Sequence, residues 1–353
     1  MSDKQNIRLL SIDGGGIRGI IPAYLLKFAE EYLEKKVPGT TLADHFDLIA
    51  GTSTGGMLSV IYLTPQDEDR SKAKYSAADA LDFYLQEGYH IFNASKRSSF
   101  KRLWGLSDAT IFNPGYLEQL LLRKFGDLQM SDLIKPCLVT TYNMQTQSSF
   151  FFTNTDDPNR RAFYLRDVLR STSAAPTYFP PAKIQNVAPG KTPDDPSEMI
   201  NLDGGVFANN PTMCMYAEAR KSKFENRSNH YPGAQHMCIL SLGTGGGGFE
   251  ISRKETSHKW NLLKWAGLLP EIMIDGSVDT VAFQMNEIWK TLNEDDMGGY
   301  LRIDTPVKDR GYAADMADAS EENIEKLLLS AEKTLTYAKE KGLCDFLDKM
   351  IDT

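Results

Sequence analysis

The chain is poor in cysteine, and the few it has form no pattern. Cys137, Cys214, Cys238 and Cys344 are scattered over 353 residues with no C-x-x-C pair and no Cys/His ligand spacing. A zinc site or a disulfide framework is therefore excluded as the organising device, and buried thiols in a reducing compartment are expected. No run of about 18 apolar residues occurs, so no membrane span is expected. The opening MSDKQNIRLL lacks the basic segment followed by an apolar one that marks a secretory leader. Excess positive charge is missing as well: 39 lysines and arginines face 47 aspartates and glutamates, for a net charge of −8. That balance argues against broad binding to nucleic acid or to an anionic membrane, so any membrane contact must be local. Internal repeats and low-complexity tracts are also absent.

What is present is ordinary for a soluble globular protein, with 41% hydrophobic and 24% charged residues. The length suffices for a large core in one α/β domain. A single domain over 1–353 is expected, with its core motifs in 7–215 and a C-terminal strand and packing helices in 236–350. Ile7–Ile12 reads as a strand that runs into Asp13 and three glycines, and apolar residues at helical spacing from Ile20 follow. Phe46–Ala50 reads as a second buried strand and Thr54–Leu63 as a second helix. Lys135–Met144 and Ser148–Thr153 read as paired strands, and Met237–Leu242 as another buried strand. Near the end, Ile324, Leu327, Leu328, Ala331, Leu335 and Ala338 predict an amphipathic helix behind the start signal at Asp318–Glu321. Strands alternating with helices predict a mainly parallel sheet covered on both faces, a three-layer α/β/α sandwich.

Three glycine-rich motifs lie on this frame. Gly51-Thr-Ser53-Thr-Gly55 fits G-x-S-x-G between a strand and a helix, where a sharp turn exposes the hydroxyl of Ser53. A turn that only packs a helix on a strand would use the same residues. Asp13-Gly14-Gly15-Gly16-Ile17-Arg18-Gly19 contains G-x-G-x-x-G, the dinucleotide fingerprint, but an acid about 20 residues later should end a second strand. Glu34 instead falls within a helix. Three adjacent glycines also suit backbone amides gathered around an anion. The third motif, Asp203-Gly204-Gly205, closes an apolar run and taken alone reads as an Asp-Gly turn. The histidines after Ser53 are His90, His230, His236 and His258, and none stands in a recognisable catalytic loop.

DGGGIRG, GTSTG and DGG, in that order, resemble the motifs of the patatin and patatin-like phospholipase family. The similarity continues through HIFN at 90–93, STSAAPTYFPP at 171–181, ILSLGTG at 239–245 and DASEENIEKLL at 318–328. The resemblance implies a patatin-like fold and a Ser/Asp dyad, with Ser53 as nucleophile, Asp203 as base, the amides of Gly15 and Gly16 as oxyanion donors and Gly14 shaping the turn. It implies neither metal nor cofactor, and no carboxylate cluster has calcium-loop spacing. Arg18 occupies the position that in the family is credited with steadying the oxyanion loop or meeting a substrate phosphate. The first role is favoured, since Arg18 follows the glycines closely enough to bond nearby carbonyls.

The expected function is hydrolysis of acyl esters of phospholipids, lysophospholipids or glycerides. The rival readings are a catalytically silent lipid- or nucleotide-binding member and a phospholipase effector activated by a signal. The plant storage patatins carry a secretory signal that this chain lacks, so a cytoplasmic location with peripheral membrane contact is expected instead. Ala174–Pro180 is apolar and stiffened by proline, and either walls an acyl channel or packs the core. Ser95–Trp104 interleaves four cations with two aromatics, as a headgroup-binding loop or a solvated one would.

Overall fold

The computed structural model describes residues 6–92, 112–224, 231–246, 262–292 and 299–351, with side chains from residue 271 onward in the fourth segment. The basic segment Ser95–Trp104, His230 and His258 lie outside the described residues. Eight strands form one sheet: β1 (Ile7–Ile12), β2 (Leu48–Gly51), β3 (Cys137–Asn143), β4 (Ser148–Thr153), β5 (Ala182–Gln185), β6 (Glu198–Asp203), β7 (Met237–Leu242) and β8 (Gly299–Ile303). Their order is β5-β6-β3-β2-β1-β7-β8, and β4 also pairs with β3.

Successive side chains on a strand point to opposite faces, and here both faces are apolar. Leu10 and Ile12 of β1 join the larger core, whereas Ile7 and Leu9 join the smaller one. The split recurs in β2, with Ile49 on one side and Leu48 and Ala50 on the other. The larger core is closed by the helices Ile20–Lys36, Thr54–Leu63, Ala77–Ile91 and Glu321–Glu340, and the smaller by Thr212–Lys221 and Leu262–Lys290. This is the α/β/α sandwich that the sequence predicts. From β3 through β2, β1 and β7 to β8 every pairing is parallel, while β4, β5 and β6 make antiparallel pairs.

The second strand starts two residues later than the sequence pattern suggests. Phe46 is buried ahead of the ladder, and the Asp47 carboxylate accepts the Arg8 amide at 2.8 Å, the place of a strand carbonyl. Among the described residues no helix is long and apolar enough to cross a membrane. All four cysteines are free; Cys137 and Cys238 are buried and Cys214 and Cys344 half-buried.

The sheet places the site through β3. One edge of β3 carries β4 from Leu138 to Asn143, so β2 and β6 must share the other. β2 runs parallel to β3 and ends with Gly51 opposite Val139, and β6 runs antiparallel and ends with Asp203 opposite Thr141. Two strands thus finish head to head along one edge, two residues apart on β3, a separation of about 7 Å at the usual rise of a strand. The residues just past Gly51 and at the end of β6 have to meet.

Candidate active site

Ser53 leaves β2 with φ 53° and ψ −118° and starts the helix Thr54–Leu63. A non-glycine residue with positive φ costs on the order of 1–3 kcal/mol, and persists only where its surroundings over-determine it. They do here. The Ser53 amide donates to Thr172 Oγ1 at 2.8 Å, and that hydroxyl donates to Thr140 O at 2.8 Å. Thr52 Oγ1 sits 2.7 Å from Thr140 Oγ1 and donates to Ala208 O at 2.7 Å. The two glycines flanking the elbow have no room for a side chain: a Cβ on Gly51 would strike the backbone of Gly55, and one on Gly55 would strike Ile12 O and stand 2.8 Å from Asp13 O.

Asp203 ends β6 with 4% of its surface exposed. Its Oδ1 accepts the Gly205 amide at 2.7 Å, and the Ser53 side chain lies close enough to favour the ionised carboxylate. Burial raises its carboxyl to about 7, against the downward pull of the bonds from Ser53 and Gly205. Gly204 rides against β3, where a Cβ would lie 2.6 Å from Thr140 Cβ.

The glycine loop is clamped at one residue and open at the next two. The Gly14 amide donates to Asn209 O at 3.1 Å, and Gly14 O accepts from Thr244 Oγ1 at 2.7 Å and Asn209 Nδ2 at 3.1 Å. Among the described residues the amides of Gly15 and Gly16 have no acceptor. Gly16 has φ +57°, and a Cβ there would strike Met316 O, which accepts the Ile17 amide at 2.9 Å. A Cβ on Gly15 would be 2.6 Å from Thr244 Cβ, and one on Gly19 would strike Thr54 Oγ1. Before the loop, Asp13 is held from β8 by both Nη atoms of Arg302, at 2.9 and 2.5 Å. Burial raises the Asp13 carboxyl to about 6 while Arg302 opposes it.

Arg18 departs from expectation. It is 5% exposed, and among the described residues its Nε and Nη1 have no partner, so the guanidinium does not fasten the turn through nearby carbonyls.

Two apolar spaces meet at Ser53. One, about 240 Å³, is lined by Gly15, Asp203, Pro176, Val206, Met273 and Ile274; the other, about 60 Å³, runs between helices past Met57, Phe83, Ile91, Leu117 and Phe179. Ala175, Tyr178 and Met316 border both. Part of the Ala174–Pro180 segment thus does wall the site, while Ala174 is buried in the core. Among the described residues no histidine borders either space: His45 bonds Thr40, His90 rests against Tyr116, and His236 precedes β7.

The patatin-like phospholipase profile matches residues 10–215, which hold all three motifs. The chain belongs to the patatin-like phospholipase family. Patatin-like protein 1 of Oryza sativa subsp. indica is 33% identical over 350 residues, covering 94% of this chain and 81% of that protein. Patatin-16 of Solanum tuberosum is 31% identical, with 94% and 84% covered. Among solved structures, human GIVD cytosolic phospholipase A2 matches at 11% identity with a TM-score of 0.49, covering 99% of this chain and 61% of that one.

In this patatin-like chain, several residues around the motifs escaped the sequence reading. Thr172 holds the Ser53 amide, Asn209 and Thr244 hold Gly14, Met316 seats Gly16, and Arg302 anchors Asp13. Thr172 and Thr244 fall inside the STSAAP and ILSLGTG blocks, which was the available signal. Arg302 lies in a strand with no motif.

Proposed function

We propose that this protein is a lipid acyl hydrolase that cleaves acyl esters through a Ser53 acyl-enzyme, with Asp203 as the base. The observation that carries the reading is the meeting of a strained serine and a buried carboxylate in one apolar cavity. Asp203 takes the Ser53 proton as the hydroxyl attacks the ester carbonyl. The carbonyl oxygen, becoming an oxyanion, is received by the unengaged amides of Gly15 and Gly16. The Ser53 amide takes no part, because Thr172 already holds it. Collapse expels the alcohol, which takes the proton back from Asp203. Asp203 then deprotonates water to free the acid. The apolar walls suit an acyl chain. Peripheral membrane contact through Ser95–Trp104 belongs to the same reading.

The base must be ionised, which fixes the pH dependence. With the Asp203 carboxyl raised to about 7, the active form is lost as pH falls through that value. Values of kcat/KM for a p-nitrophenyl acyl ester, measured from pH 5 to 9, should climb about tenfold per unit and level off near 7. A profile flat from pH 5 to 8, or one breaking near 4, would remove Asp203 as the base.

A further inference from the structure

The glycine loop has a second side. A polar cavity of about 270 Å³ lies there, and it shares Asn209 and Ile274 with the cavity that holds Ser53. Arg18 lines it with its guanidinium buried and two of its nitrogens unpartnered. Buried donors without acceptors are rare in folded proteins, and a phosphate supplies what such a donor lacks. Asp275 and Asp279 also line the cavity, four positions apart and so on one side of the helix Leu262–Lys290. Arg310 closes the far wall: a Cβ on Gly246 would meet Asp275 Oδ1 at 2.9 Å and Arg310 Nη1 at 3.4 Å.

Two other acids reach this cavity, Asp13 and Asp304, but Arg302 already engages both. Among the described residues neither Asp275 nor Asp279 makes a salt bridge, though Arg18 and Arg310 both attract the Asp275 carboxylate. Nor do three acidic, imidazole or thiol groups converge on a point that would hold a metal ion. The space therefore holds two guanidinium groups, Arg18 with unpartnered nitrogens and Arg310, together with two carboxylates that make no salt bridge, and its complement is a ligand with an anion and a cation a few bonds apart. Among the described residues no aromatic ring lines it. A quaternary ammonium would seek aromatic faces, whereas a primary ammonium bonds directly to carboxylates.

We propose that Asp275 and Asp279, facing the unpartnered guanidinium of Arg18, receive the primary ammonium of an ethanolamine phosphodiester headgroup while the ester of the same lipid lies at Ser53. The inference rests on the acyl-hydrolase reading and names its substrate class, the zwitterionic aminophospholipids. A headgroup without an ammonium leaves both carboxylates without a cation, so selectivity follows from charge.

Binding without turnover tests this. Ser53→Ala protein is titrated calorimetrically with monomeric dihexanoyl phosphatidylethanolamine and, in parallel, with the matching phosphatidylglycerol and phosphatidylcholine. Phosphatidylethanolamine should bind about tenfold or more tighter than phosphatidylglycerol, the scale of one hydrogen bond between charged groups. Adding Asp275→Asn and Asp279→Asn should erase that preference while leaving the thermal unfolding midpoint in place. Equal binding of the three lipids, or a preference that survives both substitutions, overturns the proposal. Turnover of p-nitrophenyl butyrate by the unmodified chain is scored separately, and its absence would sink the hydrolase reading alone.

Discussion

Ser53→Ala, Asp203→Asn and the double variant should each lose about 10³-fold or more in kcat/KM on a p-nitrophenyl ester, with the double no worse than either single change. In the proposed mechanism the hydroxyl and the carboxylate act on one proton, so removing either leaves the other without a task. Multiplied losses in the double variant would mean two independent roles. Stability separates a lost base from a damaged fold. Burial raises the Asp203 carboxyl of the folded chain from its ordinary 3.8 to about 7. The folded state therefore holds the proton more tightly, and wild-type stability falls as pH rises between those values. Asp203→Asn escapes that penalty. It should unfold at a higher temperature than wild type at pH 8, and the advantage should vanish near pH 4.

Gly16→Ala should lower kcat by about 10²–10³-fold, the cost of losing an oxyanion donor. The methyl group would strike Met316 O, and φ +57° suits glycine alone. The chain can relieve both only by rotating the peptide whose amide faces the reacting carbonyl and pulling Ile17 from Met316. KM should change little, since the acyl walls stay in place. The check is steady-state kinetics on a soluble ester; a loss confined to KM would place Gly16 in substrate binding instead.

Much of the chemistry was legible because it depends on local backbone rules. β1, β4, β7 and the helix Thr54–Leu63 lie within the residues that their patterns mark, and the elbow glycines are forced by contacts a few residues away. What local rules could not supply was the partner across the sheet. Asp203 reads as an ordinary Asp-Gly turn until β6 is laid antiparallel against β3, where its end faces the end of β2. β8 and its Arg302 carry no motif, yet they tether Asp13 at the head of the glycine loop. The stretch 262–290 contains Gly267, Pro270 and Gly276, residues that break helices, and still forms one helix that brings Met273 and Ile274 to the site. Arg18 was misjudged for a related reason: proximity in sequence suggested bonds to the turn, whereas the side chain is turned into a separate cavity.

The central claim, a Ser53 nucleophile driven by Asp203, is tested most directly by a fluorophosphonate probe followed by peptide mass mapping. The adduct should form on Ser53 in wild type, be absent in Ser53→Ala, and form at least about 10³-fold more slowly in Asp203→Asn at pH 8. An adduct on another residue, or labelling of Asp203→Asn at the wild-type rate, would contradict it.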